Sequence, residues 1–147
     1  MKPDPKTLIV EDSKAISNVM TNILSDLGIK EIVTAENGLK GIELFKNALL
    51  EKAPFNLVFL DVEMPVMNGH TALKIMRTLE KGPGSDQEQK AIIIMATSLD
   101  SPDNMIEAIE GECNDYIVKP ATINMIREKL SEYFPPGSDL QTESTES

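Results

Sequence analysis

The sequence has no tryptophan, one cysteine and one histidine among its 147 residues. A single cysteine cannot form an intrachain disulfide, and no second cysteine or histidine is present to build a zinc site. We therefore expect Cys113 to be a small buried apolar side chain. We expect His70 to be a surface residue near the start of a helix.

Basic residues are also scarce, with 14 Lys and Arg against 24 Asp and Glu and a net charge of −10. Nucleic-acid-binding domains normally carry a basic face, and attraction to anionic membranes also needs positive charge. No apolar run approaches the length of a membrane span. The segment Met1–Lys6 lacks the apolar core of a signal peptide. The composition predicts a cytoplasmic protein with no nucleic-acid or membrane partner.

Short apolar runs alternate along the chain with segments of helical periodicity, which is typical of an α/β fold with a parallel sheet. Right-handed crossovers leave few topologies, and we predict a flavodoxin-like five-stranded sheet of order 2-1-3-4-5. The predicted strands are Lys6–Val10, Glu31–Ala35, Leu57–Leu60, Ala91–Ala96 and Asp115–Val118. The predicted helices are Lys14–Leu27, Asn37–Glu51, Gly69–Leu79, Ser101–Glu112 and Ala121–Tyr133.

The length fits one domain with a core of its own, which we assign to residues 6–134. Residues 1–5 are expected to be flexible. Residues 135–147 are rich in Ser, Thr and acids and are expected to be disordered. The Gly- and Pro-containing segment Lys81–Gln89 predicts an exposed loop that lengthens the connection before the fourth strand. No output domain is expected after Phe134, so we expect signalling by binding.

Four apolar runs each end in a polar residue suited to metal or phosphate chemistry: Glu11-Asp12, Asp61, Thr97 and Lys119. Ligands of open parallel sheets bind beyond the carboxyl ends of the strands. One crevice is therefore predicted to hold three carboxylates, a hydroxyl and an ammonium group. Each residue alone also has an ordinary explanation, such as a helix cap or a turn. The combination at four strand ends favours a functional site.

Clustered carboxylates repel one another, and a hard divalent cation relieves that repulsion. Mg²⁺ takes one or two carboxylates and completes its shell with water and substrate phosphate. Asp12 and Asp61 are the predicted direct ligands, with Glu11 acting through water. The backbone carbonyl of Glu63 could complete the set.

Asp61 is the candidate nucleophile, because carboxylates form aspartyl-phosphate intermediates. Phosphoryl transfer requires mainly positioning and charge neutralisation. Mg²⁺ and the Lys119 ammonium would supply positive charge, and the Thr97 hydroxyl would donate a hydrogen bond to a phosphoryl oxygen.

These residues closely resemble the receiver domain of two-component response regulators, especially the stand-alone chemotaxis type. The matching residues are Glu11-Asp12-Ser13, the segment Asp61–Gly69 (D-V-E-M-P-V-M-N-G), Thr97-Ser98, and Tyr116–Pro120. The likeness covers about Lys6 to Phe134.

The resemblance implies that Asp61 accepts a phosphoryl group from a histidine kinase with Mg²⁺ bound, and that Thr97 and Lys119 contact that group. It also implies that Tyr116 is an aromatic switch residue and that the Lys119-Pro120 bond is cis. A downstream protein would then read the face built from the fourth helix, fifth strand and fifth helix. The protein would be a phosphoacceptor, not an enzyme with a separate substrate.

Two positions flank the path expected for attacking water: Glu63 and Leu99. Neither an anionic nor an apolar side chain orients water well toward a phosphoryl group, so we predict slow self-dephosphorylation. The sequence leaves three roles open: a chemotaxis-type regulator, a phosphorelay shuttle that passes phosphate to a histidine phosphotransferase, and a receiver excised from a longer protein.

Two other classes fit less well. A Mg²⁺-dependent phosphatase of the haloacid-dehalogenase type expects a second Asp where Glu63 stands, and usually a cap domain. A flavodoxin-like electron carrier expects a Ser/Thr/Gly phosphate loop where Glu11-Asp12-Ser13 stands, and more aromatics to cover a flavin.

Overall fold

A computed structural model describes residues 4–82, 90–98 and 101–135. Within these ranges five strands alternate with five helices. The strands are β1 (Thr7–Val10), β2 (Ile32–Ala35), β3 (Leu57–Asp61), β4 (Ile92–Thr97) and β5 (Asp115–Val118). The helices are α1 (Lys14–Asp26), α2 (Gly38–Leu50), α3 (Gly69–Glu80), α4 (Pro102–Glu110) and α5 (Ile123–Tyr133).

The five strands form one parallel sheet in the order β2-β1-β3-β4-β5, which confirms the predicted fold. The strand order reverses between β1 and β3, so a crevice opens there at the carboxyl ends of the strands. The register pairs Val10 with Leu60 and Asp61 with Ala96. The residues that follow β1, β3 and β4 are therefore brought to the same edge.

Two apolar cores cover the two faces of the sheet. Side chains alternate along a strand, so Val58 and Leu60 face the core beneath α2 and α3, while Leu57 and Phe59 face the opposite core. The opposite core also contains Leu24 from α1 and Ile126 from α5. Because both faces are buried, the strands read in the sequence as continuous apolar runs.

Capping residues define the helix ends to within two residues of the predicted bounds. Each helix starts after a side chain that accepts a backbone N–H, from Ser13, Asn37, Asn68, Ser101 and Thr122. The α1 helix ends just before Gly28. Gly28 has φ of 98°, and its N–H donates to the Ser25 carbonyl while the Ile29 N–H donates to Leu24. This is the Schellman arrangement, which favours glycine at the left-handed position.

One expectation about exposure was wrong. His70 is buried between α3 and α4, with Nε2 3.3 Å from Asn104 Oδ1, so it is not a surface residue. The apolar stripe of α1 is only partly covered, because Ile16 and Val19 are exposed while Met20 and Leu24 are buried. Periodicity locates the apolar face of a helix, but it does not show how many side chains on that face are covered by the rest of the protein.

The predictions for residues 1–3 and 136–147 lie outside the described residues, as do those for Leu99 and most of the loop before β4. Among the helices that are described, none combines the length and apolar character needed to cross a membrane. Cys113 is partly buried and packs against the core beneath α3.

Candidate functional site

Three carboxylates meet at the switch point of the sheet. Glu11 and Asp12 follow β1, and Asp61 is the last residue of β3. One carboxylate oxygen from each lies within 4.8 Å of the others. Glu11 and Asp61 are buried and Asp12 is exposed, so the cluster opens to solvent on the Asp12 side.

Asp61 is held rigidly at the base of this cluster, with 2% of its surface exposed. The backbone of α3 begins directly against it. A Cβ atom at Gly69 would lie 2.2 Å from the Asp61 carbonyl oxygen, so only glycine fits there. The N–H of Gly69 donates to the Val62 carbonyl at 2.9 Å and fixes the turn after the strand.

Lys119 joins the cluster from the end of β5. Its Nζ atom lies 2.8 Å from Asp61 Oδ1 and 3.1 Å from Glu11 Oε1. The contact with Asp61 is an ion pair with poor hydrogen-bond alignment, since Oδ1 has no well-oriented donor among the described residues. The Lys119 N–H donates to the Thr97 carbonyl at 2.7 Å, and the Lys119-Pro120 bond is cis, as predicted. The ammonium group of Lys119 points into the carboxylate cluster.

Burial and neighbouring charges shift the acid–base behaviour of this cluster. Burial raises the pKa of Asp61 to about 7; Lys119 opposes the rise, and the charges of Glu11 and Glu63 add to it. Burial alone would lower the pKa of Lys119, but its contacts with Asp61 and Glu11 outweigh burial and raise it. The cluster therefore combines an ammonium group with carboxylates that repel one another.

The Glu63 side chain makes a contact that the sequence did not predict. Its carboxylate accepts hydrogen bonds from Thr97 Oγ1, from the Ser98 N–H at 2.9 Å and from Ser98 Oγ at 3.1 Å. Burial would raise the pKa of Glu63, but these hydrogen bonds outweigh it and lower the pKa. The adjacency of β3 and β4 is the only signal in the sequence that could have suggested this contact.

Thr97 and Tyr116 lie where the sequence placed them, at the end of β4 and on β5. Thr97 is fully buried, and its hydroxyl bonds to Glu63. Tyr116 is half-buried against the core beneath α2 and α3. Their roles as switch residues stay predictions.

A largely apolar cleft of about 560 Å³ adjoins the carboxylates. It lies between α1 and the segment after β5, and Asp61 and Lys119 line its polar end. The exposed α1 residues Ile16 and Val19 line its outer wall. The Asp61 carboxylate therefore lies at the end of a largely apolar cleft.

The donor set fits a hard divalent cation. All three clustered side chains offer carboxylate oxygens, which Mg²⁺ prefers over nitrogen or sulfur. Among the residues described, the buried Asp61 Oδ1 atom has the Lys119 ammonium 2.8 Å away but no aligned hydrogen-bond donor, so a positive charge is already accommodated at this oxygen. The same residues could hold Mg²⁺ and present a carboxylate to a phosphoryl group.

Fold and site together define a doubly wound α/β protein with an acidic, lysine-containing centre at its switch point. The sequence pattern of the response regulator receiver domain matches residues 7–131, and this chain belongs to that family. Receiver domains of this family are Mg²⁺-binding phosphoacceptors of two-component signalling.

Relatives of the chemotaxis type match over nearly their whole length. Chemotaxis protein CheY-3 of Vibrio cholerae is 34% identical over 130 residues, which cover 88% of this chain and 91% of that protein. Hybrid signal transduction histidine kinase G of Dictyostelium discoideum is also 34% identical, over 131 residues. This match spans 88% of the chain but only 4% of the kinase.

Solved receiver structures share the fold. CheY4 of Vibrio cholerae has 28% identity and a TM-score of 0.73, covering 89% of this chain and 99% of its own. A CheX–CheY–BeF₃–Mg²⁺ complex from Borrelia burgdorferi has 26% identity and a TM-score of 0.74, covering 87% of each chain. The Ssk1 receiver of Saccharomyces cerevisiae, solved with the phosphotransfer protein Ypd1, has 26% identity, a TM-score of 0.76 and 90% coverage of each chain. These likenesses support a stand-alone chemotaxis-type receiver domain.

Proposed function

We propose that Asp61 accepts a phosphoryl group from the phosphohistidine of a histidine kinase or histidine phosphotransferase. The observation that carries this proposal is the position of Asp61. It is buried at the end of the central strand β3, in contact with Lys119 and beside Glu11 and Asp12. A carboxylate held this way is a preorganised nucleophile with a cation beside the charge that develops on transfer.

In the proposed step an oxygen of the Asp61 carboxylate attacks phosphorus in line with the leaving imidazole nitrogen. The new P–O bond forms as the P–N bond breaks, and the released imidazole takes a proton from solvent. Lys119 Nζ lies 2.8 Å from Asp61 Oδ1 and can follow the negative charge onto a phosphoryl oxygen. Phosphoryl transfer needs little more than this positioning and neutralisation.

Asp12, Asp61, Glu11 through water, and the backbone carbonyl of Glu63 would hold Mg²⁺. When bound, the ion would neutralise the negative charge shared by the carboxylates and the phosphoryl oxygens. The clustered oxygens within 4.8 Å support this ligand set.

The output of the switch would be a protein-binding face built from α4, β5 and α5. On phosphorylation Thr97 would move toward the phosphoryl group, and Tyr116 would turn inward. Three apolar residues on α4 support a docking role, because Met105, Ile106 and Ile109 are exposed. A local charge change would thus bias a two-state surface that a downstream protein reads.

A phosphorelay shuttle is the second candidate role. The apolar cleft between α1 and the segment after β5 favours it, because a phosphotransfer protein could cover Ile16 and Val19 while presenting its histidine to Asp61. The Ssk1 receiver, which resembles this chain, was solved with such a protein. Transfer of label from the phosphorylated chain to a histidine phosphotransferase would separate this role from a chemotaxis role.

The chemistry is tested with phosphoramidate, which carries the P–N bond of a phosphohistidine. Wild-type protein and Mg²⁺ should yield a phosphoprotein that hydroxylamine cleaves, as expected for an acyl phosphate. Excess chelator should prevent its formation. A hydroxylamine-resistant phosphoprotein would contradict acceptance on a carboxylate.

The lifetime of the phosphoprotein is a separate proposal. The Glu63 side chain carries a carboxylate, and an anionic group is poorly suited to orient water toward a phosphoryl group on Asp61. We expect slow self-dephosphorylation, measured by the decay of the phosphorylated mass after donor removal. Decay within seconds would contradict it.

A further inference from the structure

The Glu63 carboxylate engages three donors at the end of β4. Oε2 accepts from the Thr97 hydroxyl, and Oε1 accepts from both the N–H and the hydroxyl of Ser98. Hydrogen bonds to a charged acceptor are stronger than neutral ones. One side chain therefore fixes two consecutive residues at a strand end.

The donor groups of Thr97 and Ser98 lie beside the Asp61 carboxylate. Asp61 pairs with Ala96 in the sheet, and the Val62 N–H donates to the Ala96 carbonyl at 2.9 Å. Ser98 and Asp61 line the same cleft. A phosphoryl group on Asp61 would need hydroxyl and amide donors from this strand end, which Glu63 engages in the structure described.

A second effect opposes the Glu63 contact once a phosphoryl group arrives. The charge of Glu63 contributes to the raised pKa of Asp61, so the two carboxylates interact electrostatically. A phosphoryl group adds roughly 1.5 to 2 negative charges at neutral pH and three strong acceptor oxygens. It would therefore both repel the Glu63 carboxylate and compete for its donors.

We propose that Glu63 is a positioning residue that latches Thr97 and Ser98 in the unphosphorylated arrangement. Phosphorylation of Asp61 releases the latch, because the donors pass from the Glu63 carboxylate to the phosphoryl oxygens. This inference rests on the proposed function of Asp61 as phosphoacceptor. It assigns the Glu63 side chain a role separate from that of its backbone carbonyl.

The latch is tested in two states of the full chain. Before phosphorylation, Glu63→Ala should speed hydrogen exchange of the Ser98 amide by about tenfold or more, because the amide loses a charged acceptor. Glu51→Ala removes one exposed carboxylate and should leave that exchange rate unchanged. Glu63→Gln keeps one acceptor oxygen without the charge, so it should give an intermediate rate.

After phosphorylation with acetyl phosphate and Mg²⁺, the carboxyl ¹³C resonance of Glu63 should shift, because the carboxylate loses its three donors. Its assignment follows from its absence in Glu63→Gln, and the carboxyl resonance of Glu51 should stay in place. Intact mass on the same samples reports whether the phosphoryl group is present.

The outcomes test the Glu63 latch and the proposed phosphoacceptor role of Asp61 separately. A phosphorylated wild type with an unmoved Glu63 resonance overturns release of the latch and leaves the proposed function standing. Equal Ser98 exchange in wild type and Glu63→Ala overturns the latch itself. A wild type that gains no phosphoryl mass overturns the proposed function and the release step with it.

Discussion

Arg77 and Glu80 form a buried ion pair one turn apart on α3, with the guanidinium Nη1 atom 2.7 Å from Oε1 of the carboxylate. Both residues also bond to Ala91, the residue before β4: Arg77 donates to its carbonyl at 2.9 Å, and Glu80 accepts its N–H at 2.7 Å. Arg77 further donates to Asn114 Oδ1 and the Glu112 carbonyl. The pair thus ties α3 to the chain at both β4 and the α4–β5 turn.

Arg77→Ala should destabilise the protein by about 3–5 kcal/mol, because it leaves the Glu80 carboxylate buried without its cation. Urea unfolding measures the loss. Lys40→Ala is the matched control, since Lys40 and Glu43 are also an i,i+3 pair but are 52% and 61% exposed. Lys40→Ala should lower the free energy of unfolding by less than about 1 kcal/mol. Equal losses in the two variants would contradict a special role for the buried pair.

Val66 lies in the left-handed region with φ of 72° and is 78% exposed. A β-branched residue is strained there, and asparagine tolerates this conformation better. Val66→Asn should therefore raise the free energy of unfolding by roughly 0.5–1 kcal/mol. Val19→Asn, at an exposed helical site, should be nearly neutral because the two residues have similar helix propensity. A stability loss at Val66 would show that its apolar side chain makes compensating contacts.

Mg²⁺ should stabilise the wild type by mass action, by about 2.7 kcal/mol at a concentration 100 times the dissociation constant. The shift in thermal midpoint with Mg²⁺ measures this effect. Asp12→Asn removes one carboxylate of the cluster without a change of shape and should abolish most of the shift. The same shift in both proteins would place the bound ion elsewhere.

Burial raises the pKa of the Cys113 thiol, and the charge of Asp115 adds to the rise. A raised pKa lowers the thiolate fraction at a given pH, so Cys113 should react more slowly with a thiol reagent than free cysteine at pH 8. Denaturation should restore the ordinary rate. Immediate reaction of the folded protein would contradict the partly buried placement of this residue.

The sequence predicted the sheet and the main site because these depend on local patterns. Apolar runs buried on both faces identify strands, and the polar residues that end them converge once the topology is known. The helix starts predicted at Ser101 and Asn37 fall on the observed capping residues, one position before each helix. The cluster of Glu11, Asp12 and Asp61 therefore needed no knowledge of side-chain contacts.

The features that the sequence did not predict depend on contacts between distant residues. Arg77 and Glu80 have the same i,i+3 spacing as the exposed pair of Lys40 and Glu43, so the pattern cannot distinguish a buried pair. His70 is buried because α4 brings Asn104 against it. The contact of Glu63 with Thr97 and Ser98 depends on the distance between the ends of β3 and β4, which the sequence pattern does not give.

The most direct measurement is the intact mass of wild type and Asp61→Asn after incubation with acetyl phosphate and Mg²⁺. Acceptance on Asp61 predicts a gain of one phosphoryl mass in wild type and none in Asp61→Asn, whose amide keeps the shape but not the nucleophile. An equal gain in both proteins, or no gain in a wild type shown to bind Mg²⁺, would contradict the central claim.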